Sequence, residues 1–233
     1  MKNLLRNHVL LLFGVLILCV FTSASAFAAD QPATNASVRV IHAAPGAGNV
    51  DIFVDNNKVL TNFAYGTLTN YAPVPAGTHT IKVAPTGKGI GAAVIIQSAN
   101  VTAGDAYTVA AVGTKDTGFS LQAFIDNNSL KGVTSPASAS KIRVYHLSPN
   151  AGPVNISAGG KQVITNLSYK SASNYLPVAA GPQTFSVTAL QPNVTVPVHA
   201  TINAGTVVSV FAIGLYKQTP ALQFITRAVE GKH

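Results

Sequence analysis

Short runs of alternating apolar and polar residues make up most of the chain beyond residue 36. In the first run, Val38 and His42 lie on one face of an extended chain and Arg39 lies on the other. Gly, Pro, Asn or Asp interrupts this alternation after roughly every 8–12 residues, which is typical of β-sandwiches. No later segment keeps a helical apolar period for about three turns. The pattern therefore predicts an all-β fold.

The first half of this region is predicted to form a series of short strands joined by turns. The sequence DNNK at 55–58 predicts a tight hairpin, because Asn tolerates the left-handed backbone that such turns require. The predicted strands are Ser37–His42, Val50–Val54, Lys58–Thr61, Leu68–Ala72, Thr78–Val83, Ala93–Asn100, Tyr107–Val112 and Ser120–Ile125.

The second half of the chain repeats the first. Adding 104 to each residue number between 38 and 83 aligns the two copies without a gap. Beyond residue 84 the offset falls to 101, which aligns LQAFI (121–125) with LQFI (222–225). The matched pairs include Arg39 with Arg143, His42 with His146, Tyr65 with Tyr169, and Tyr71 with Tyr175.

This repeat predicts two tandem antiparallel β-sandwich domains, immunoglobulin-like or transthyretin-like. Each copy is long enough for a core of its own. We place the first sandwich at 36–126 and the second at 141–229. The polar, small-residue stretch 127–140 is the predicted linker between them.

The N-terminus has the features of a secretory signal peptide. Lys2 and Arg6 precede an apolar run at 9–21, and small residues follow up to Ala28. The run is shorter than the roughly 20 residues that span a bilayer. We therefore predict that residues 1–28 are a signal peptide and that the product is secreted, extracellular or held at the cell surface. An uncleaved anchor is the alternative interpretation.

Composition limits the chemistry of the exported chain. The single cysteine, Cys19, lies inside the predicted signal, so no thiol is left for disulfides, catalysis or metal binding. Without Lys2 and Arg6, thirteen basic residues face seven acidic ones, and the net charge falls from +8 to +6. This charge suits weak attraction to anionic cell-wall polymers or lipid surfaces. Nucleic acid is not an expected partner, because the basic residues are scattered.

His42 and His146 each end a core-facing stripe just before a turn. We expect each imidazole to bond a carbonyl of that turn and so to cap the strand. A metal site would need three or four converging ligands. The nearby Asp51 becomes Asn155 in the second copy, so the two copies share no such set. We predict no metal and no cofactor.

Catalytic motifs are absent from the sequence. There is no Gly-x-Ser-x-Gly elbow, no glycine-rich loop before a helix and no carboxylate pair at a spacing suited to glycosidases. We therefore predict that the protein is not an enzyme. Tyr71 and Tyr175 are predicted to bond nearby turns, with a sugar-stacking role as the alternative.

The quoted motifs resemble a known family. The stretches VRVIHAAPGAGNVDIFV (38–54) and NYAPVPAGTHTIKV (70–83) resemble the bacterial domain-of-unknown-function family 4397. The second copy is similar but has Asn155 where the family motif has Asp. The resemblance implies secreted or surface-exposed proteins, often with the domain in tandem, and no assigned activity.

Two functions remain open. The first is a non-enzymatic structural or adhesion-type module that presents its loops and edges to a wall polymer, polysaccharide or protein. The second is an extracellular module that binds a carbohydrate or another ligand. The candidate ligand-binding residues for the second are Arg39, His42, Tyr65, Arg143, His146 and Tyr169.

Overall fold

The computed structural model describes residues 34–190 and 193–232, so the predicted signal peptide lies outside the described residues. The first repeat contains eight strands: β1 (Asn35–His42), β2 (Val50–Val54), β3 (Asn57–Phe63), β4 (Ala72–Pro75), β5 (Gly77–Pro85), β6 (Ile95–Val101), β7 (Ala106–Thr114) and β8 (Gly118–Asp126). A 3-10 turn at Ile90–Ala92 is the only helical segment in the described part of the chain.

The second repeat contains nine strands: β9 (Ala139–His146), β10 (Val154–Ala158), β11 (Lys161–Leu167), β12 (Ser171–Ala172), β13 (Leu176–Ala179), β14 (Gly181–Leu190), β15 (Asn193–Ile202), β16 (Thr206–Ile213) and β17 (Gln223–Glu230).

Each repeat is a sandwich of two sheets, as the sequence predicts. The first repeat has the sheets β4-β1-β7-β8 and β3-β2-β5-β6. The second has β9-β16-β17, with β12 and β13 along the free edge of β9, and β11-β10-β14-β15. The strand order is the same in both copies. The sheets are antiparallel except where β1 pairs with β7 and β9 pairs with β16, which run parallel.

One predicted strand and one part of the repeat alignment need correction. The fourth strand is at Ala72–Pro75, not 68–72, and Leu68 makes only an isolated bridge to Ile41. Pro73 and Pro75 fit the strand because it lies at a sheet edge, where the missing N–H groups leave no bond unmade. The alignment of LQAFI with LQFI is also wrong: Ala111 pairs with Leu121, but its counterpart Ala212 pairs with Phe224, an offset of 103. The chain between Ala212 and Phe224 is two residues longer than the chain between Ala111 and Leu121.

Each sandwich has its own apolar core, and a further cluster lies between the two. Val50, Phe63 and Val83 belong to the core of the first sandwich. The shared cluster is formed by the outer faces of the β1 and β9 sheets, and Ile41 and Phe211 are both fully buried in it. The described residues of the two repeats consequently form one compact unit. The described part of the chain is a stack of four sheets.

The segment 127–140 connects the two repeats but does not run free. Leu130 is 2% exposed, and its N–H donates to the carbonyl of Lys232 at 2.8 Å. The side chain of Lys141 donates to the carbonyl of Ser129 at 3.0 Å. The segment is therefore packed against the C-terminal end of the second sandwich.

Candidate functional site

Arg39 and Arg143 meet around one buried carboxylate, Asp126, at the end of β8. Arg39 Nη2 lies 3.4 Å from Asp126 Oδ2, and Arg143 Nη1 lies 3.3 Å from Oδ1. Thr108 and Tyr145 also donate to this carboxylate, each at 2.5 Å. Asp126 thus joins strands of both repeats.

Arg39 itself is buried, with 1% of its surface exposed. Its Nε donates to Thr108 at 2.8 Å and its Nη2 donates to Ser209 of the second repeat at 2.7 Å. A burial this complete is tolerated because the charge is paired and hydrogen-bonded. Arg39 therefore faces the interface between the repeats and not an open cleft.

Tyr71 and Tyr175 cover the two arginines. The guanidinium of Arg39 lies 4.6 Å from the ring centre of Tyr71, and that of Arg143 lies 4.9 Å from Tyr175. The Tyr71 hydroxyl donates to Asp126 at 2.6 Å. Burial and the neighbouring Asp126 raise the pKa of Tyr71 well above its usual range. The Tyr175 hydroxyl accepts the N–H of Asn127, in the segment that joins the repeats, at 2.8 Å. The two tyrosines thus contact the interface and the connecting segment, whereas the sequence predicts contacts with nearby turns.

His42 and His146 have the geometry expected of strand caps. Each is 1% exposed, and Nε2 donates to a turn carbonyl: Gly48 at 2.8 Å and Gly152 at 2.6 Å. Burial lowers the pKa of both imidazoles, only partly offset by these bonds, so the neutral form is favoured. Each imidazole therefore bonds a carbonyl of the turn that follows its own strand.

Tyr65 and Tyr169 pack edge-on against these histidines. The ring centres are 5.9 Å apart for Tyr65 and His42 and 6.4 Å apart for Tyr169 and His146. The Tyr169 hydroxyl accepts the N–H of Gly113 in the first repeat at 3.0 Å. The six candidate residues thus fall into three groups, around Asp126 and at the two strand ends, and do not form one site.

The motif Asp and its Asn replacement share one backbone contact. Asp51 Oδ1 accepts the N–H of Asn62 at 3.0 Å, and Asn155 Oδ1 accepts the N–H of Asn166 at 2.8 Å. The residues that they hold, Asn62 and Asn166, each lie at a β-bulge and have positive φ values of 51° and 52°. Only Asp51 also binds Lys58, at 2.7 Å. This lysine, with the Asn62 N–H, lowers the pKa of Asp51 to about 2.

No group of three or more His, Cys, Asp or Glu side chains within 34–190 and 193–232 is arranged to hold a metal ion. In the same residues, no helix is long and apolar enough to cross a bilayer.

The two sandwiches correspond to two matches with one family model. The model of the domain of unknown function DUF4397 matches residues 36–136 and 140–232. The chain belongs to the DUF4397 family. A search of curated proteins found no match. Both DUF4397 copies therefore carry the Arg, His and Tyr pairs described above, in the same structural positions.

Sequence reasoning missed Asp126, which contacts Arg143 and Tyr145 of the second repeat as well as three side chains of its own repeat. The repeat could not indicate it, because its counterpart in the corrected alignment is Val229 and not an acidic residue. The available signal was a carboxylate directly after an apolar strand in a chain with only seven acidic residues. That signal gives no indication of the partner, since Arg39 lies 87 positions away.

Proposed function

We propose that this protein is an exported, non-enzymatic module with a structural or adhesion-type role at the cell surface. The observation that carries the proposal is the use of the repeated polar side chains. Arg39, His42 and His146 are 1% exposed and bond to groups of the protein itself. Residues kept for packing in both copies favour a structural role over a reaction.

The interface between the repeats also supports a mechanical role. Asp126 accepts hydrogen bonds from Thr108 and Tyr71 of its own repeat and from Tyr145 of the second. Phe211 of the second repeat is fully buried in the same interface. These contacts fix one sandwich relative to the other, so that surfaces on both are presented at a constant spacing.

The charge of the exported chain suggests the kind of surface that it contacts. Its predicted net charge is +6, and lysines such as Lys88, Lys115 and Lys161 are exposed. Exposed charges of one sign attract an anionic polymer, and salt screens that attraction over about 8 Å at physiological ionic strength. Anionic wall polymers are therefore the proposed contact.

The test is binding of the purified protein to isolated bacterial cell walls at rising salt concentration. We expect retention at low salt and release as salt rises. Replacing Lys88 and Lys115 by Gln should weaken retention, whereas replacing them by Arg should preserve it. Salt-independent binding, or no binding to walls, would contradict the proposal.

Carbohydrate binding is the competing function, and a glycan array separates it from wall adhesion. The six candidate residues offer little to a sugar, because Arg39, His42 and His146 are buried. Selective binding of one neutral glycan, lost in Tyr65→Ala or Tyr169→Ala variants that remain folded, would favour the carbohydrate-binding module instead.

A further inference from the structure

The first sandwich contains an apolar cleft that its packing does not fill. The cleft has a volume of about 470 Å³ and opens between β3 and β4, so we call it the β3–β4 cleft. Aliphatic side chains from both sheets line it, among them Val38, Ile52, Leu60 and Val74. Small-molecule sites in proteins have volumes of about 300–1,000 Å³ and mostly apolar walls.

The sandwich is closed on its other side. There the side-chain amide of Gln97 on β6 donates to the carbonyl of Leu121 on β8 at 3.3 Å and accepts its N–H at 3.2 Å. Strands β3 and β4 belong to different sheets and are not paired with each other. Pro73 and Pro75 remove two N–H donors from β4, which hinders addition of a further strand at that edge. The opening therefore suits a small molecule better than a peptide strand.

The second sandwich shows what fills the equivalent space. Its cavity is about 60 Å³ and is lined by Leu176 and Phe185. The counterparts in the first repeat are the smaller Ala72 and Ile81, which line the β3–β4 cleft. An empty apolar cavity lowers stability in proportion to its volume. A cavity that one copy retains and the other fills is thus a candidate binding site.

The polar side chains of the cleft lie at its two ends. At one end, just before β4, the hydroxyl of Thr69 already takes part in a hydrogen bond within the protein: it accepts the N–H of Val40 at 2.9 Å. At the other end, His79 contacts Asp55 at 2.5 Å and the carbonyl of Pro75 at 2.8 Å, beside the exposed Asn57. Both ring nitrogens of His79 are already engaged, so the exposed side-chain amide of Asn57 is the group that can bond a polar head group at this end.

We propose that the β3–β4 cleft binds an aliphatic small molecule, an unbranched alkyl chain with its polar end beside Asp55, Asn57 and His79. Phe, Tyr and Trp are absent from the lining, which argues against aromatic ligands and stacked sugars. Packed sheets are about 10 Å apart, so the space between them accepts a slim chain more readily than a fused-ring molecule. Burial of methylene groups supplies the affinity. This site goes beyond the proposed wall contact and is independent of it.

The test is titration of the purified protein with straight-chain alcohols from hexan-1-ol to decan-1-ol. Calorimetry should show one saturable site per chain, with affinity rising about threefold to fourfold for each added methylene. The melting temperature should rise with alcohol concentration, because the ligand binds only the folded state. Absence of saturable binding, or affinity independent of chain length, would overturn the proposal.

The decisive variant is Ala72→Leu/Ile81→Phe, which gives the first repeat the residues of the second. It should remain folded without ligand and lose the alcohol-dependent rise in melting temperature. The matched control, Ala92→Leu/Ile96→Phe, makes the same two changes at exposed positions and should bind like the wild type. If the double variant does not fold, Ala72→Leu alone should still lower the affinity for decan-1-ol at least tenfold. Unchanged binding in the folded variant would show that the alcohol sits elsewhere.

Discussion

The hydroxyl of Tyr145, in the second repeat, lies 2.5 Å from Oδ1 of Asp126, at the end of the first repeat. The other oxygen of this carboxylate accepts from Thr108 and Tyr71. The Asp126 side chain is completely buried, and Arg39 and Arg143 are both in contact with it. A single carboxylate therefore contacts two guanidinium groups in the interface, one from each repeat, and makes the two sandwiches interdependent.

The first prediction concerns this carboxylate. Replacing Asp126 by Ala removes the partner of a buried charge, and such changes typically cost about 3–5 kcal/mol in the free energy of unfolding. Asp126→Asn keeps the shape and should cost less. Urea denaturation of both variants measures the loss.

We also expect the Asp126→Ala variant to unfold in two separate transitions, because the coupling between the sandwiches is weakened. Asp116→Ala is the control, since Asp116 is exposed. A single transition with an unchanged midpoint would show that the apolar cluster alone holds the repeats together.

The architecture of each repeat could be predicted from the sequence, but their association could not. The alternation around Val38 and the turn at 55–58 follow from local chemistry, and the structure has a hairpin there with positive φ at Asp55 and Asn56. The interface depends on residues such as Tyr145 and Phe211, which alternate like any other strand residues. Nothing local distinguishes an apolar side chain facing its own sandwich from one facing the neighbouring sandwich.

The second prediction concerns the strand caps. His42→Ala and His146→Ala each leave a buried turn carbonyl without its donor, which typically costs about 1–3 kcal/mol. Thermal unfolding with and without zinc should give the same loss under both conditions. His199→Ala, at an exposed position, is the control and should change the melting temperature little. Zinc-dependent stabilisation of the wild type that disappears in either cap variant would contradict the capping role.

Because of the same two histidines, we expect the stability of the fold to fall at acid pH. Their folded pKa values are lowered by burial, so the unfolded chain binds protons more readily than the folded one. The contribution is fully present above the unfolded pKa of about 6.5 and is lost as pH falls through the lowered folded pKa. The wild type should therefore lose more stability on acidification from pH 7 than either Ala variant does.

A third prediction concerns export. The exported product should begin at or near Ala29, because the n-region, apolar run and small residues precede that position. N-terminal sequencing of the protein recovered outside the cytoplasm decides the point. Recovery in the membrane fraction with Met1 still present would mean that the segment is an anchor.

The fourth prediction uses Asp51 and its counterpart Asn155. Asp51→Asn should be tolerated with a small loss, because an amide oxygen holds the same bulge in the second repeat and only the contacts of Oδ2 with Lys58 and with the N–H of Gly87 disappear. Asp51→Ala and Asn155→Ala should both cost more, since each leaves the N–H of a positive-φ residue without its acceptor. Equal losses for Asp51→Asn and Asp51→Ala, measured by urea denaturation, would show that the charge matters and the bulge contact does not.

The last prediction concerns His79, which joins the turn at Asp55 to the end of β4. Its ring contacts Asp55 through Nδ1 and the Pro75 carbonyl through Nε2, and protonation lets both nitrogens donate. The hydrogen bond with Asp55 and that with Pro75 raise the pKa of His79. Its contribution to stability is therefore complete below about pH 6.5 and is lost as pH rises through the raised folded pKa.

The second repeat supplies the matched substitution for this histidine. Gln183 occupies the equivalent position and donates to the carbonyl of Ala179 at 3.2 Å, without a charge. His79→Gln should keep the contact with the carbonyl and remove the loss of stability that His79 causes as pH rises. The difference in melting temperature between wild type and variant should therefore shrink as pH rises from 6 to 9. Asp55→Asn should lower the pKa of His79, which NMR titration of the ring protons can follow. A His79 pKa that does not respond to Asp55→Asn would mean that the carboxylate does not control its protonation.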